Sequence, residues 1–95
     1  MKLKDQRVVI CGAGGFIGGH LVKYLLAEGV NVVRAVDLKR LEEWHQFSPE
    51  IENLVCDLRE LDACRRATEG ADIVFQLAAD MGGMGFNHNT KRSAC

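Results

Sequence analysis

An α/β fold, a partial doubly wound parallel sheet of about four strands in order 3-2-1-4, is what this 95-residue sequence predicts. Three observations carry that prediction. Short apolar runs alternate with segments of helical periodicity as far as Leu77. Five of the eight residues 12–19 are glycine, and they follow directly on an apolar run. An acidic residue, Asp37, closes the next apolar run, 19 residues after Gly18.

Residues 8–11, Val-Val-Ile-Cys, are apolar without a break, as a strand covered on both faces requires. The glycines then turn the chain into a helix over 15–28, where Ile17, Leu21 and Leu25 repeat at i, i+4 and Val22 and Leu26 widen the stripe. Gly29 closes it as a C′ residue. A second strand over 30–36 ends at Asp37. Residues 38–47 read as a short helix with Leu41, Trp44 and Phe47 on one side, stopped by Ser48-Pro49. That aromatic pair reads as packing, and His45 as a surface histidine. A third strand spans 51–56, a helix over 59–69 buries Leu61, Cys64 and Thr68, and Gly70 ends it before a fourth strand over 71–77. The glycine-rich segment 80–86 reads as a mobile loop at the carboxyl end of the sheet, where open α/β folds bind ligands.

Composition narrows the function classes. A net charge of −1 leaves no basic field for nucleic acid. No apolar run approaches the roughly 20 residues that cross a bilayer, and no apolar core follows the first lysines as in a secretory signal. Cys11, Cys56, Cys64 and Cys95 lack C-x-x-C spacing and paired histidines, so they read as buried thiols in a reducing cytosol and not as a metal site. A cytoplasmic location is therefore expected.

A run as poor in side chains as 12–19 needs a reason, and a pyrophosphate on the helix N-terminus supplies one. Gly12 allows the tight turn, Gly15 lets the backbone approach the phosphates, and Gly18 lets the helix pack closely on the strand. Asp37 stands where a carboxylate accepts the adenosine ribose hydroxyls. It would repel a 2′-phosphate and favour NAD over NADP, with Lys39 and Arg40 near enough to soften that preference. Asp37 also reads as a simple cap for the segment after it. Leu77 ends the fourth strand and Ala78 and Ala79 follow it, small residues that let the backbone run beside the cofactor's ribose and nicotinamide.

The Gly-x-x-Gly-x-x-Gly spacing through Gly12, Gly15 and Gly18, with Phe16-Ile17 inside it, resembles the extended short-chain dehydrogenase/reductase superfamily, the NAD-dependent epimerases and dehydratases. Residues 76–86, with Met81-Gly82-Gly83-Met84-Gly85, resemble the GDP-mannose 3,5-epimerase branch. The resemblance implies a Rossmann-like sheet and NAD as cofactor, bound by Gly12, Gly15, Phe16, Ile17, Gly18, Asp37, Asp57 and Leu58. Asp57 would face the adenine amino group with the Leu58 backbone beside the ring; Asp57 also reads as a helix N-cap. Met81 and Gly82 would meet a nucleotide-sugar. It implies a reaction that oxidises a sugar hydroxyl, epimerises through the ketone and returns the hydride.

The family's Tyr-x-x-x-Lys pair has no match. The single tyrosine, Tyr24, is followed four residues later by Glu28. No catalytic residue is therefore assigned. Residues 1–86 read as the amino-terminal half of a cofactor-binding domain, and the polar 87–95 as a disordered tail. A different sugar-nucleotide epimerase or dehydratase, and a dinucleotide-binding module without chemistry, stay open beside the epimerase reading. So does self-association through the strand at 73–77, whose apolar edge carries no lysine or proline.

Overall fold

A computed structural model describes residues 3–78. Four parallel strands form one sheet in the order β3-β2-β1-β4: β1 is Arg7–Cys11, β2 Val32–Asp37, β3 Glu52–Val55 and β4 Ile73–Gln76. Two helices join them, α1 over Phe16–Ala27 and α2 over Leu61–Thr68. The parallel α/β class and the strand order are those expected from the sequence. The segment 80–86 and the tail 87–95 lie outside the described residues.

Strand β1 is the axis of the sheet, flanked by β2 and β4. Alternation sends its side chains to two cores. Val8 and Ile10 join Val33 and Ala35 of β2 under Val22 and Leu25 of α1. On the other face Val9 and Cys11 join Val36 of β2 and Ala67 of α2. All four β1 residues from Val8 to Cys11 are at most 2% exposed, which is why the run is apolar without alternation. Complete burial of side chains such as Val8, Ile10 and Leu25 stabilises the fold by about 1.5–3 kcal/mol each.

Helix α1 ends as its sequence dictates. Gly29 takes φ +88°, its N–H donates to Leu26 O at 3.1 Å, and Val30 N–H donates to Leu25 O at 3.1 Å. This is the paired C-terminal closure that a left-handed residue at C′ permits. On the opposite face Arg34 of β2 reaches α2. Its Nη1 donates to the carbonyls of Ala67 (2.7 Å), Glu69 (3.1 Å) and Arg66 (3.2 Å), while Nε donates to Glu52 Oε1 at 2.9 Å. An arginine from the sheet thus satisfies carbonyls at the helix's C-terminal end and anchors α2 over β1.

Four expectations need correction. Residues 38–47 are not a helix; only Leu41–Glu43 form a 3-10 turn. Trp44 leaves that turn in extended conformation (φ −74°, ψ 143°), because its indole is buried against the glycine turn and its Nε1–H donates to Lys39 O at 2.9 Å. Ile17 is 69% exposed; Gly18 and Gly19 take the buried places in the first turns of α1. Leu61 is exposed, and Ala63, Cys64 and Ala67 are the buried residues of α2, with Ala67 packed on Val9, Cys11 and Val36. Cys11 and Cys56 are free thiols, but Cys64 is disulfide-bonded.

Candidate functional site

The carboxyl ends of β1, β2 and β4 lie level, with Cys11 opposite both Val36 and Gln76. The glycine turn leaves the sheet there. Gly12 N–H and Ala13 N–H both donate to Val36 O, at 2.7 and 3.0 Å, and Leu77 N–H donates to Cys11 O at 2.8 Å. Gly12, Gly15, Phe16, Ile17, Gly18 and Leu77 line one open cleft of about 310 Å³ at this end. Six residues named from the sequence are therefore brought to one place by the fold.

Each glycine there has its own physical reason. Gly12 has φ +93°, and a Cβ on it would stand 2.7 Å from Ala78 N and from Leu77 C, so only glycine lets β4 close beside the turn. A Cβ on Gly18 would run into Gly12 O and stand 2.8 Å from Ala13 Cα, so the helix seats on the turn backbone to backbone. A Cβ on Gly14 would meet Trp44 Cδ1 at 2.7 Å and Asp37 Oδ2 at 2.9 Å. Gly15 differs. Its backbone (φ −84°, ψ 177°) suits any residue, and a Cβ would touch only Gly12 O at 3.5 Å. No part of the described chain demands a glycine there, so the space it leaves faces the cleft.

The same cleft holds unused donors. Gly15 caps α1 without a side-chain hydrogen bond, and the first N–H to find a helical acceptor is Gly19, to Gly15 O at 2.9 Å. The N–H groups of Phe16, Ile17 and Gly18 precede it and have no intrahelical acceptor. Together with the helix dipole they make a cradle for an anion. The residues present thus fit the pyrophosphate of a dinucleotide: donors at the helix end, a missing Cβ in front of them, and apolar Phe16, Ile17 and Leu77 on the walls.

Asp37 closes β2 beside this turn. Its Oδ2 accepts Gly14 N–H at 2.8 Å and its Oδ1 accepts Lys39 N–H at 3.0 Å. A carboxylate oxygen accepts about two hydrogen bonds, so each keeps capacity for a ligand hydroxyl. Of the two nearby cations, Arg40 is drawn to Glu42 Oε2 (3.6 Å) and Glu43 Oε2 (3.5 Å). Asp57 and Leu58 sit beyond the end of β3 and do not line the cleft. Arg59 holds Asp57 with Nε and Nη2 at 3.0 and 2.9 Å, and its side-chain hydrogen bonds push that carboxyl below its ordinary range. Leu58 packs partly buried against the Val9–Cys11 core. Ala78 adjoins Gly12, while Ala79, Met81 and Gly82 lie outside the described residues.

The sequence pattern does not single out Gly14, Trp44 and His45 as site residues. His45 N–H donates to Gly14 O at 3.0 Å, and its ring lies edge-on to Phe16 at 5.8 Å. No local signal marks this contact, which spans about thirty residues. Beneath the site Cys11 is fully buried, and burial, with Cys56 as a second cause, pushes its thiol up to about 11. At the opposite end of the sheet a smaller cleft of about 230 Å³ lies between Arg7, Arg34 and Gly70. Arg34 is committed there to Glu52 and to α2. Among the described residues no cluster of histidine, cysteine or carboxylate side chains can hold a metal, and no helix is long and apolar enough to cross a membrane.

Known proteins share this arrangement. GDP-mannose 3,5-epimerase 1 of Oryza sativa subsp. japonica is 41% identical over 92 residues, 87% of this chain and 22% of that protein. Among solved structures, Pen from Bacillus thuringiensis superposes with a TM-score of 0.73 and 31% identity, over 84% of this chain and 26% of its own. The Thermus thermophilus UDP-glucose 4-epimerase, solved as a complex with NAD, superposes with a TM-score of 0.65 and 30% identity, over 78% of this chain and 24% of its own. The chain thus spans about a fifth to a quarter of the length of these relatives and corresponds to their amino-terminal, Rossmann-type part. The sequence pattern of one family runs through residues 9–93, from the middle of β1 past the last described residue. The chain belongs to the 3-beta hydroxysteroid dehydrogenase/isomerase family.

Proposed function

We propose that this chain is the NAD-binding part of a nucleotide-sugar epimerase acting on a GDP-mannose type of substrate. The observation that carries the cofactor reading is Gly15: a glycine that the described chain does not need, facing a cleft, in front of three N–H groups without helical acceptors. The likeness to GDP-mannose 3,5-epimerase supports the substrate class. NAD, when bound, supplies the acceptor and donor of hydride at a sugar carbon. The chain's own residues bind and orient. The α1 N-terminus and Gly15 hold negative charge, Asp37 accepts the ribose hydroxyls, and Phe16, Ile17 and Leu77 give the cleft apolar walls. Met81 and Gly82 are assigned to the nucleotide-sugar by resemblance, and Asp57 and Leu58 to the adenine.

A second reading, a dinucleotide-binding module without chemistry, is favoured by the position of Tyr24. The only tyrosine in the chain lies on α1, exposed, with Glu28 and not lysine four residues on. A cytoplasmic setting is part of the same proposal: the free thiols Cys11 and Cys56 support it, and the disulfide at Cys64 counts against it.

Calorimetric titration with NAD and NADP tests the reading. NAD is expected to bind more tightly, because the Asp37 carboxylate repels a 2′-phosphate and Arg40 is engaged by Glu42 and Glu43. Asp37→Ala is expected to lose about 1–3 kcal/mol of NAD binding. Failure of both nucleotides to bind overturns the cofactor reading; tighter binding of NADP overturns the preference.

A further inference from the structure

We infer that Trp44 is a positioning residue that aims the Asp37 carboxylate, and so sets how strongly the site reads the adenosine ribose; this rests on the cofactor reading above. Four hydrogen bonds form a closed circuit around Gly14. Gly14 N–H donates to Asp37 Oδ2 at 2.8 Å, and Lys39 N–H donates to Asp37 Oδ1 at 3.0 Å. Trp44 Nε1–H donates to Lys39 O at 2.9 Å, and His45 N–H returns to Gly14 O at 3.0 Å. Both backbone polar groups of Gly14 are used in this circuit. The indole fills the remaining side: a Cβ on Gly14 would stand 2.7 Å from Trp44 Cδ1 and 2.9 Å from Asp37 Oδ2. Trp44 is only 8% exposed, so its ring is held by packing and its orientation is not free.

The consequence concerns the carboxylate. Two backbone N–H groups, one on each oxygen, determine the rotation of the Asp37 side chain. One of those donors belongs to Lys39, in the peptide stretch that the Trp44 indole ties down. The other belongs to Gly14, against which the same indole is packed. Trp44 therefore bears on both supports of the carboxylate, through the Lys39 carbonyl and through Gly14. A ribose diol needs both oxygens aimed together; a single phosphate on the α1 cradle does not need Asp37 at all. The effect of Trp44 is thus expected on ribose recognition and not on anion binding.

The probes are ADP, its 2′,3′-dideoxy analogue and inorganic pyrophosphate, titrated calorimetrically into the full chain. In the wild type ADP is expected to bind about tenfold or more tighter than the dideoxy analogue, as hydrogen bonds to a charged acceptor imply. In Trp44→Ala that ratio is expected to fall to near one, with pyrophosphate affinity unchanged. Trp44→Phe removes the Nε1–H and three ring atoms but keeps a ring beside Gly14, so it retains part of the packing and is expected to give an intermediate ratio. A ratio that stays at the wild-type value in every variant that folds overturns the inference. So does an equal loss for ADP and its analogue, which would mark Trp44 as structural only. Failure of the wild type to bind ADP overturns the cofactor reading itself, a separate result.

Discussion

Gly15 and Gly18 are three residues apart and answer to different neighbours. A methyl on Gly18 runs into Gly12 O and crowds Ala13 Cα, backbone atoms that cannot yield. Overpacking of that kind costs about 1–3 kcal/mol, and the roughly 1 kcal/mol of helix propensity that alanine brings does not offset it. Gly18→Ala is expected to lose up to about 2 kcal/mol in urea unfolding. A methyl on Gly15 meets ordinary contact only. Its poorer capping and its less flexible unfolded chain offset to within about 1 kcal/mol, so stability is expected to hold while NAD binding weakens. A Gly15→Ala variant that binds NAD as the wild type does would remove the cradle from the site.

Cys11 makes a second prediction at this scale. Its thiol is pushed up to about 11 in the fold, against an ordinary value of about 8.5 once unfolded. The contribution from the neutral buried thiol is fully present below about 8.5. Between about 8.5 and 11 the unfolded chain loses its proton and the folded one keeps it, so stability falls as pH rises. The slope is at most about 1.4 kcal/mol per pH unit. Urea unfolding of the wild type and Cys11→Ala from pH 8 to 10 is expected to show that slope shrinking in the variant.

At the scale of elements, β4 is the exposed flank. Among the described residues it pairs only with β1. Ile73 and Phe75 pack partly buried on the α1 core, whereas Val74 is 43% and Leu77 40% exposed. Such an edge has unpaired backbone groups and no charge to repel a second strand. We propose that a second copy of the chain pairs here. Sedimentation is expected to show a concentration-dependent dimer, with amide exchange at Ile73–Gln76 slowing as concentration rises. A monomer at all concentrations, with equally fast exchange, would rule this pairing out. At the other flank, Arg34 joins β2 to Glu52 of β3 and to the end of α2 in one set of hydrogen bonds.

At the scale of the whole chain, the cleft at the α1 N-terminus fits a pyrophosphate, and the 95 residues contain no Tyr-x-x-x-Lys pattern. Tyr24 lies on α1, exposed, on the strand-to-helix unit that builds the cradle, and its i+4 neighbour is Glu28. The 95-residue chain is therefore expected not to turn over GDP-mannose. Incubation with NAD in deuterated water, read by NMR of the sugar, checks this. Deuterium in the ring would reveal a catalytic group outside the tyrosine–lysine pattern and would remove the second reading of the function.

Local pattern was enough for much of this protein. Uninterrupted apolar residues at 8–11 read as a strand covered on both faces, and the glycines behind them as a turn into a helix, and both elements form there. The carboxylate 19 residues beyond Gly18 lands at the end of the neighbouring strand, and the strands take the order expected of a Rossmann-like sheet. Facing and long-range contact were not legible in the pattern. The periodic stripe placed Ile17 and Leu61 inward, but close backbone approach gave a buried position to Gly18, and in α2 the buried positions belong to Ala63, Cys64 and Ala67. Residues 38–47 have a helical spacing of apolar side chains, yet the burial of Trp44 on Gly14 draws the chain into extended form. That contact lies thirty positions away along the sequence, where no periodicity reaches, and it exists only once β1 and β2 are side by side.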